Sequence, residues 1–144
     1  MKTLLIILWS LLMLIANSAI ATELKVKVRN IDVGRGGQVI VMVFGEAGFP
    51  KDHDQAVFYE ARDSLQPVME FVFEVNMEVL AIKVLHDENK DGTVTKNWTG
   101  IYPKEGLGFS NKQKIGLTGP PKYKYSKLSK EQFMGGLDIS LLYP

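Results

Sequence analysis

In the stretch VMEFVFEVNMEVLAIKVL, residues 68–85, apolar side chains recur at every second position. Met69, Phe71, Phe73 and Val75 fall on one side, with Glu70 and Glu74 on the other. After the short connection Asn76-Met77-Glu78 the alternation resumes, with Leu80, Ile82 and Val84 on one face. A period of two puts alternate side chains on opposite sides of an extended chain; a helix would need a period near 3.6. The stretch therefore predicts two consecutive strands, each with a face to bury.

The same pattern extends both ways. Leu24, Val26 and Val28 alternate with Lys25, Lys27 and Arg29. Val39 to Phe44 is a continuous apolar run rich in β-branched residues, as in a central strand covered on both faces. Val57 to Arg62 reads as a short strand, Lys122 to Leu128 as extended chain, and Gly136 to Leu142 as the closing strand. Ser129 to Met134 has room for one helical turn. About seven short strands, with no convincing helical period over three turns, predict an all-β fold: an antiparallel β-sandwich with one long Gly/Pro-rich loop region.

The N-terminus is of another kind. Lys2 precedes an apolar run, Leu4 to Ile15, broken only by Ser10, and Ala19-Ile20-Ala21 follows. Charge, short apolar core and an A-x-A site, in that order, predict a cleavable secretory signal peptide at residues 1–21 and a single domain at 22–144. The apolar core is shorter than the roughly 20 residues a membrane span needs. The expected location is the periplasm or the medium, and no span is expected in the mature chain.

Removing residues 1–21 takes away one of 17 basic residues and none of 16 acidic ones, so the mature chain has no net charge. That argues against nucleic acid as a partner. The chain has no cysteine, which excludes thiol catalysis, disulfides and Cys-ligated metals.

From His86 to Pro121 the periodicity breaks, and any function is expected there. Asp87, Asn89 and Asp91 alternate and Gly92 follows, the D-x-N-x-D-G spacing that opens a calcium loop. Alternate oxygens can converge on a hard cation, Gly92 permits the sharp turn, and the Thr93 carbonyl can add a ligand. Trp98 stands where an EF-hand needs its bidentate acid, and a strand precedes the loop, so this is not an EF-hand. Glu105 could reach back to complete a weak Ca²⁺ site, with Asn97 as a neutral alternative. The same residues also serve a plain hairpin turn, because Asn, Asp and Gly tolerate left-handed backbone.

Gly106 and Gly108, two apart, imply backbone held close to something else, or positive φ. Phosphate binding is a poor fit, since no G-K-[ST] ending follows. Ser110, His86 and Asp87 supply the residue types of a hydrolytic triad, without a G-x-S-x-G elbow. His86 can equally cap the loop. Asp91 and Glu105 are carboxylates of the type that act on sugars. Trp98, Tyr102 and Phe109 suit a stacking platform, or packing of the loop onto the sandwich. His53 and His86 alone are too few, and too far apart, for a His-based zinc site.

Four segments together carry a family resemblance. They are Gly48-Phe49-Pro50; His86-Asp87-Glu88-Asn89-Lys90-Asp91-Gly92; Gly100 to Asn111, with Glu105-Gly106-Leu107-Gly108-Phe109-Ser110-Asn111 at its end; and Gly119-Pro120-Pro121. In these the chain resembles the bacterial family called domain of unknown function 2141, over roughly Leu24 to Leu142. The resemblance implies an exported bacterial β-sandwich of transthyretin or immunoglobulin-like kind, with no established activity. Two departures stand out: Thr95 where the family commonly has an acid, and Tyr102 inserted between Ile101 and Pro103.

The functional expectation is a non-enzymatic binding or interaction module of the cell envelope, for a small ligand or an envelope protein. The rival readings are a hydrolase using the 86–111 loop and a purely structural domain.

Overall fold

The computed structural model describes residues 20–144. The expected leader, residues 1–21, lies outside the described residues except for Ile20 and Ala21. Eight strands form two facing sheets. They are β1 (Thr22–Arg29), β2 (Gln38–Phe44), β3 (Phe58–Asp63), β4 (Met69–Val75), β5 (Val79–Asp87), β6 (Gly106–Phe109), β7 (Leu128–Ser129) and β8 (Leu137–Ser140). One sheet has the order β4-β1-β8 and the other β3-β2-β5-β6, with β7 pairing β5. The all-β sandwich is as the alternation predicts.

The quoted stretch proves to be a crossover. β4 pairs β1 antiparallel in one sheet, while β5 pairs β2 in the other, so Asn76–Glu78 carries the chain from sheet to sheet. Both strands turn their apolar sides inward. Phe71, Phe73 and Val75 meet Leu80, Ile82 and Val84, with Leu24, Val26, Val28, Val39, Val41 and Val43, in one core. Burying each such side chain contributes about 1.5–3 kcal/mol.

One pairing is not antiparallel: β8 runs parallel to β1, Val26 opposite Leu137 and Val28 opposite Ile139. Parallel neighbours need a long crossover, and here it is the whole chain between the first strand and the last.

β2 is covered on both faces, as its unbroken apolar run predicts. Ile40, Met42 and Phe44 point away from the sandwich into a second cluster with Leu85, Leu107 and Phe109. Phe49, Ala56, Val94 and Ile115, from the long connections, close over it. The connections after β2, β5 and β6 thus form a third layer on the outer face of the larger sheet.

Two local readings need correcting. Lys122 to Leu128 is not extended: Tyr123–Ser126 is a helical turn, α1, and strand geometry begins only at Leu128. The Ser126 hydroxyl donates to the Lys122 carbonyl (3.2 Å), and the Ser126 carbonyl accepts from Ser110 Oγ (2.6 Å). The bond from Ser110, 16 residues away, anchors a turn that local sequence does not advertise. The second helical turn, α2 (Lys130–Phe133), falls inside the predicted Ser129–Met134 and carries a capping box between Ser129 and Gln132.

The other correction is β6, a strand inside the supposed loop. Leu107 and Phe109 point to the outer cluster, while Gly106 and Gly108 face across to the C-terminal segment. A Cβ on Gly106 would lie 2.4 Å from the Tyr143 ring, and one on Gly108 2.6 Å from Ile139 Cγ2. Of the two reasons for paired glycines, close approach is the operative one. Their missing side chains also hide the period of two.

Candidate functional site

β5 carries the site. On its inner side the apolar row ends at His86, which is fully buried. His86 Nε2 lies 2.7 Å from the Gly36 carbonyl, which can only accept, so Nε2 bears a hydrogen. Nδ1 lies 2.7 Å from the Tyr143 hydroxyl, which itself accepts from the Asp32 N–H (2.9 Å). His86 thus ties the Val33–Arg35 turn to the C-terminal segment. Ser110, also buried, accepts from the Ile82 N–H (2.9 Å) and donates to the Ser126 carbonyl. Ser110, His86 and Asp87 are each hydrogen-bonded to different partners, and the structure does not assemble them as a triad.

The acidic loop is built inward from Asp87, which is fully buried. Asp87 Oδ2 accepts from the Gly92 N–H and the Gln38 amide, each at 2.8 Å, and Oδ1 from the Asp91 N–H at 3.2 Å. Glu105 does reach back, as its position suggests. Its Oε1 accepts from the Glu88 N–H (3.0 Å) and its Oε2 from the Thr95 N–H (2.8 Å). Asp91 Oδ1 accepts from the Thr93 N–H and hydroxyl, and Oδ2 from the Asn89 amide. Those bonds from Thr93 and Asn89 hold the Asp91 carboxyl below the usual carboxylate range. Gly92 takes the turn at φ +74°. Among the described residues no group of three or more His, Cys, Asp or Glu side chains is placed to hold a metal ion.

The remaining loop candidates are turn and packing residues. Asn97 Oδ1 accepts from Thr99 Oγ (2.5 Å) and the Tyr102 N–H (3.4 Å), closing the turn through Trp98 and Gly100. Asn111 adopts φ 56° and donates its amide to the Tyr125 carbonyl at 2.7 Å. The three aromatics do not form one platform: Phe109 is buried, Tyr102 half-exposed and Trp98 96% exposed.

The outer face of β5 holds what sequence reasoning passed over. Lys83 is 4% exposed, between Ala81 and Leu85 on that side. Its Nζ donates to the Pro50 carbonyl (2.8 Å) and lies 2.7 Å from His53 Nε2. His53 Nδ1 lies 2.9 Å from the Gly92 carbonyl, so Nδ1 carries the hydrogen and Nε2 turns its lone pair to Lys83. Burial lowers the Lys83 pKa from 10.5 to about 8. The His53 pKa is lowered too, first by burial and then by the Lys83 charge. The available signal was a lone charge inside the apolar run Val79–Leu85.

Lys83 and His53 line a cleft of about 1010 Å³ under the third layer, walled by Ala56, Val94, Leu107, Phe109 and Ile115. Asp52, Asp54, Asp91, Lys51 and Lys96 are also on its walls. A smaller cleft of about 430 Å³ shares Tyr102, Leu107, Phe109 and Ile115 with it and continues to Tyr143.

The segments that carry the resemblance meet here. Phe49 packs edge-on against Phe44 and Phe109, with ring centroids 5.5 and 6.4 Å apart; Pro50 accepts from Lys83, and Gly92 holds His53. No curated protein and no solved structure matches the chain. The sequence profile of a family described as "uncharacterized protein conserved in bacteria (DUF2141)" matches residues 26–132. The match spans most of the chain and both sides of the Lys83 cleft, and the protein belongs to that family.

Proposed function

We propose that the protein is an exported, non-enzymatic binding module whose ligand sits in the Lys83 cleft. The single observation that carries this reading is a cleft of about 1010 Å³ whose lining combines an apolar wall (Ala56, Val94, Leu107, Phe109, Ile115) with charged and polar side chains around Lys83 and His53. Such a combination is the usual form of a small-molecule site. Export is supported by the leader pattern at residues 1–21 and is tested by N-terminal sequencing of the secreted chain. Among the described residues no helix is long and apolar enough to cross a membrane.

The neutral fluorophore N-phenyl-1-naphthylamine tests the cleft. Its emission should rise on binding the folded protein and fall back in Ile115→Trp, which fills the cleft at a half-buried position. No enhancement, or one that Ile115→Trp leaves unchanged, would remove the basis of the proposal.

The Asp87–Thr93 loop acts in this reading as a structural turn. Supporting this, Asp87 and Glu105 direct their oxygens at N–H donors, all but one of them backbone. A cation would compete with those donors for the same oxygens, and at Asp91 with Thr93 and Asn89. Millimolar calcium is therefore expected to leave Tm unchanged. A ligand confined to the folded state must raise Tm by mass action, so a rise that Asp91→Ala abolishes would establish the calcium site instead.

A further inference from the structure

Lys83 is a buried cation with no anion. Its two partners, the Pro50 carbonyl and His53 Nε2, are uncharged acceptors. None of the ion pairs among the described residues involves it. An ammonium has three donors, and two are used. A buried charge ordinarily has a counter-charge, because desolvation without one is expensive. Lys83 lines the cleft, so a bound molecule can supply it.

We propose that the cleft takes a small organic carboxylate with an apolar body, its carboxylate against Lys83 Nζ and its body along Leu107, Phe109 and Ile115 towards the exposed Leu117. This rests on the cleft being the binding site. The pocket selects the anion's class. One spare donor suits a single carboxylate oxygen, whereas a phosphate would ask for several donors or an arginine fork. No arginine lines the cleft, and Asp52, Asp54 and Asp91 on its walls oppose a dianion, more than offsetting Lys51 and Lys96 in formal charge. Leu107, Phe109 and Ile115 give the cleft one apolar wall, which suits a ligand body of hydrocarbon character. His53 is held by Gly92, so its Nε2 keeps the ammonium in place instead of competing for the ligand.

The test is displacement of N-phenyl-1-naphthylamine from the full mature chain by octanoate, octan-1-ol and octylammonium at neutral pH. These share a tail and differ in the head. Octanoate should bind roughly tenfold tighter than octanol, the scale of one charge-assisted contact, with octylammonium weakest. Lys83→Met should remove the difference between octanoate and octanol. In the unmodified protein the octanoate advantage should also fade as pH rises well above about 8 and Lys83 loses its proton, which keeps the test decisive if the variant does not fold. Octanol matching octanoate while both displace the probe would overturn the carboxylate assignment and leave the cleft standing. An octanoate advantage that survives at high pH would also overturn it. Absence of probe binding would overturn both.

Discussion

Gly37→Ala is expected to destabilise the domain by about 2–5 kcal/mol, measured by urea denaturation. Gly37 enters β2 at φ +69°, where an L side chain is strained by about 1–2 kcal/mol. A Cβ there would lie 2.2 Å from the Asp87 carbonyl oxygen, 2.5 Å from Glu88 Cα and 2.8 Å from the Glu88 carbonyl oxygen. All three are backbone atoms and cannot swing aside as a side chain can. Moving them means prising β2 from β5 where Gln38 faces Asp87, at the base of the acidic loop. Overpacking of this kind costs a further 1–3 kcal/mol or so. Two neighbours separate the contributions. Gly36 has φ +66° but open space around its Cβ, so Gly36→Ala reads the backbone strain alone. Gly45 has neither constraint, and Gly45→Ala should change stability by no more than about 0.5 kcal/mol. A Gly37→Ala loss no larger than the roughly 1–2 kcal/mol of backbone strain would contradict the close contact.

Stability should rise with pH between about 8 and 10, and Lys83→Met should flatten that rise. Lys83 titrates at about 8 in the fold and near 10.5 when unfolded. Between these values the unfolded chain binds the extra proton, so raising pH favours the fold. The full difference corresponds to about 3 kcal/mol at 1.36 kcal/mol per pH unit. Below pH 8 the ammonium is charged in both states and its burial counts wholly against the fold. The groups around it are Lys51, Asp52, His53 and Asp54 from one connection, Asp91 and Lys96 from the other, and Tyr59 on β3. His53, lowered by burial, acts in a separate window: its contribution is lost as pH falls below about 6.5. Tyr59, Tyr123 and Tyr143, raised by burial, oppose the fold only above about pH 10, which bounds the useful range. Urea midpoints of parent and variant across pH 7–10 measure the effect. A parent whose stability is flat over that range would show that Lys83 is not desolvated as drawn.

The legible parts of this molecule are those governed by near neighbours along the chain. The period of two in 24–29, 69–75 and 79–85 marks strands because alternate side chains of an extended chain share a face. The unbroken run 39–44 marks a strand with no wet face, and β2 has none. D-x-N-x-D-G marks a tight turn, and Gly92 makes it. Where the signal was a missing side chain, as at Gly106 and Gly108, the strand was invisible.

Function-bearing detail depends instead on partners far apart in sequence. Whether an Asp or Glu oxygen meets a cation or an N–H depends on where other backbone lies, and Glu105 meets Glu88 and Thr95. Lys83 and His53 are 30 residues apart, and Lys83 acquires its buried, unpaired charge only when the connections after β2, β5 and β6 close over the outer sheet face. Periodicity is a property of a single strand and can be read along it. Desolvation, charge pairing and the shape of a cleft belong to the assembled layers, so they appear only after folding has brought those layers together.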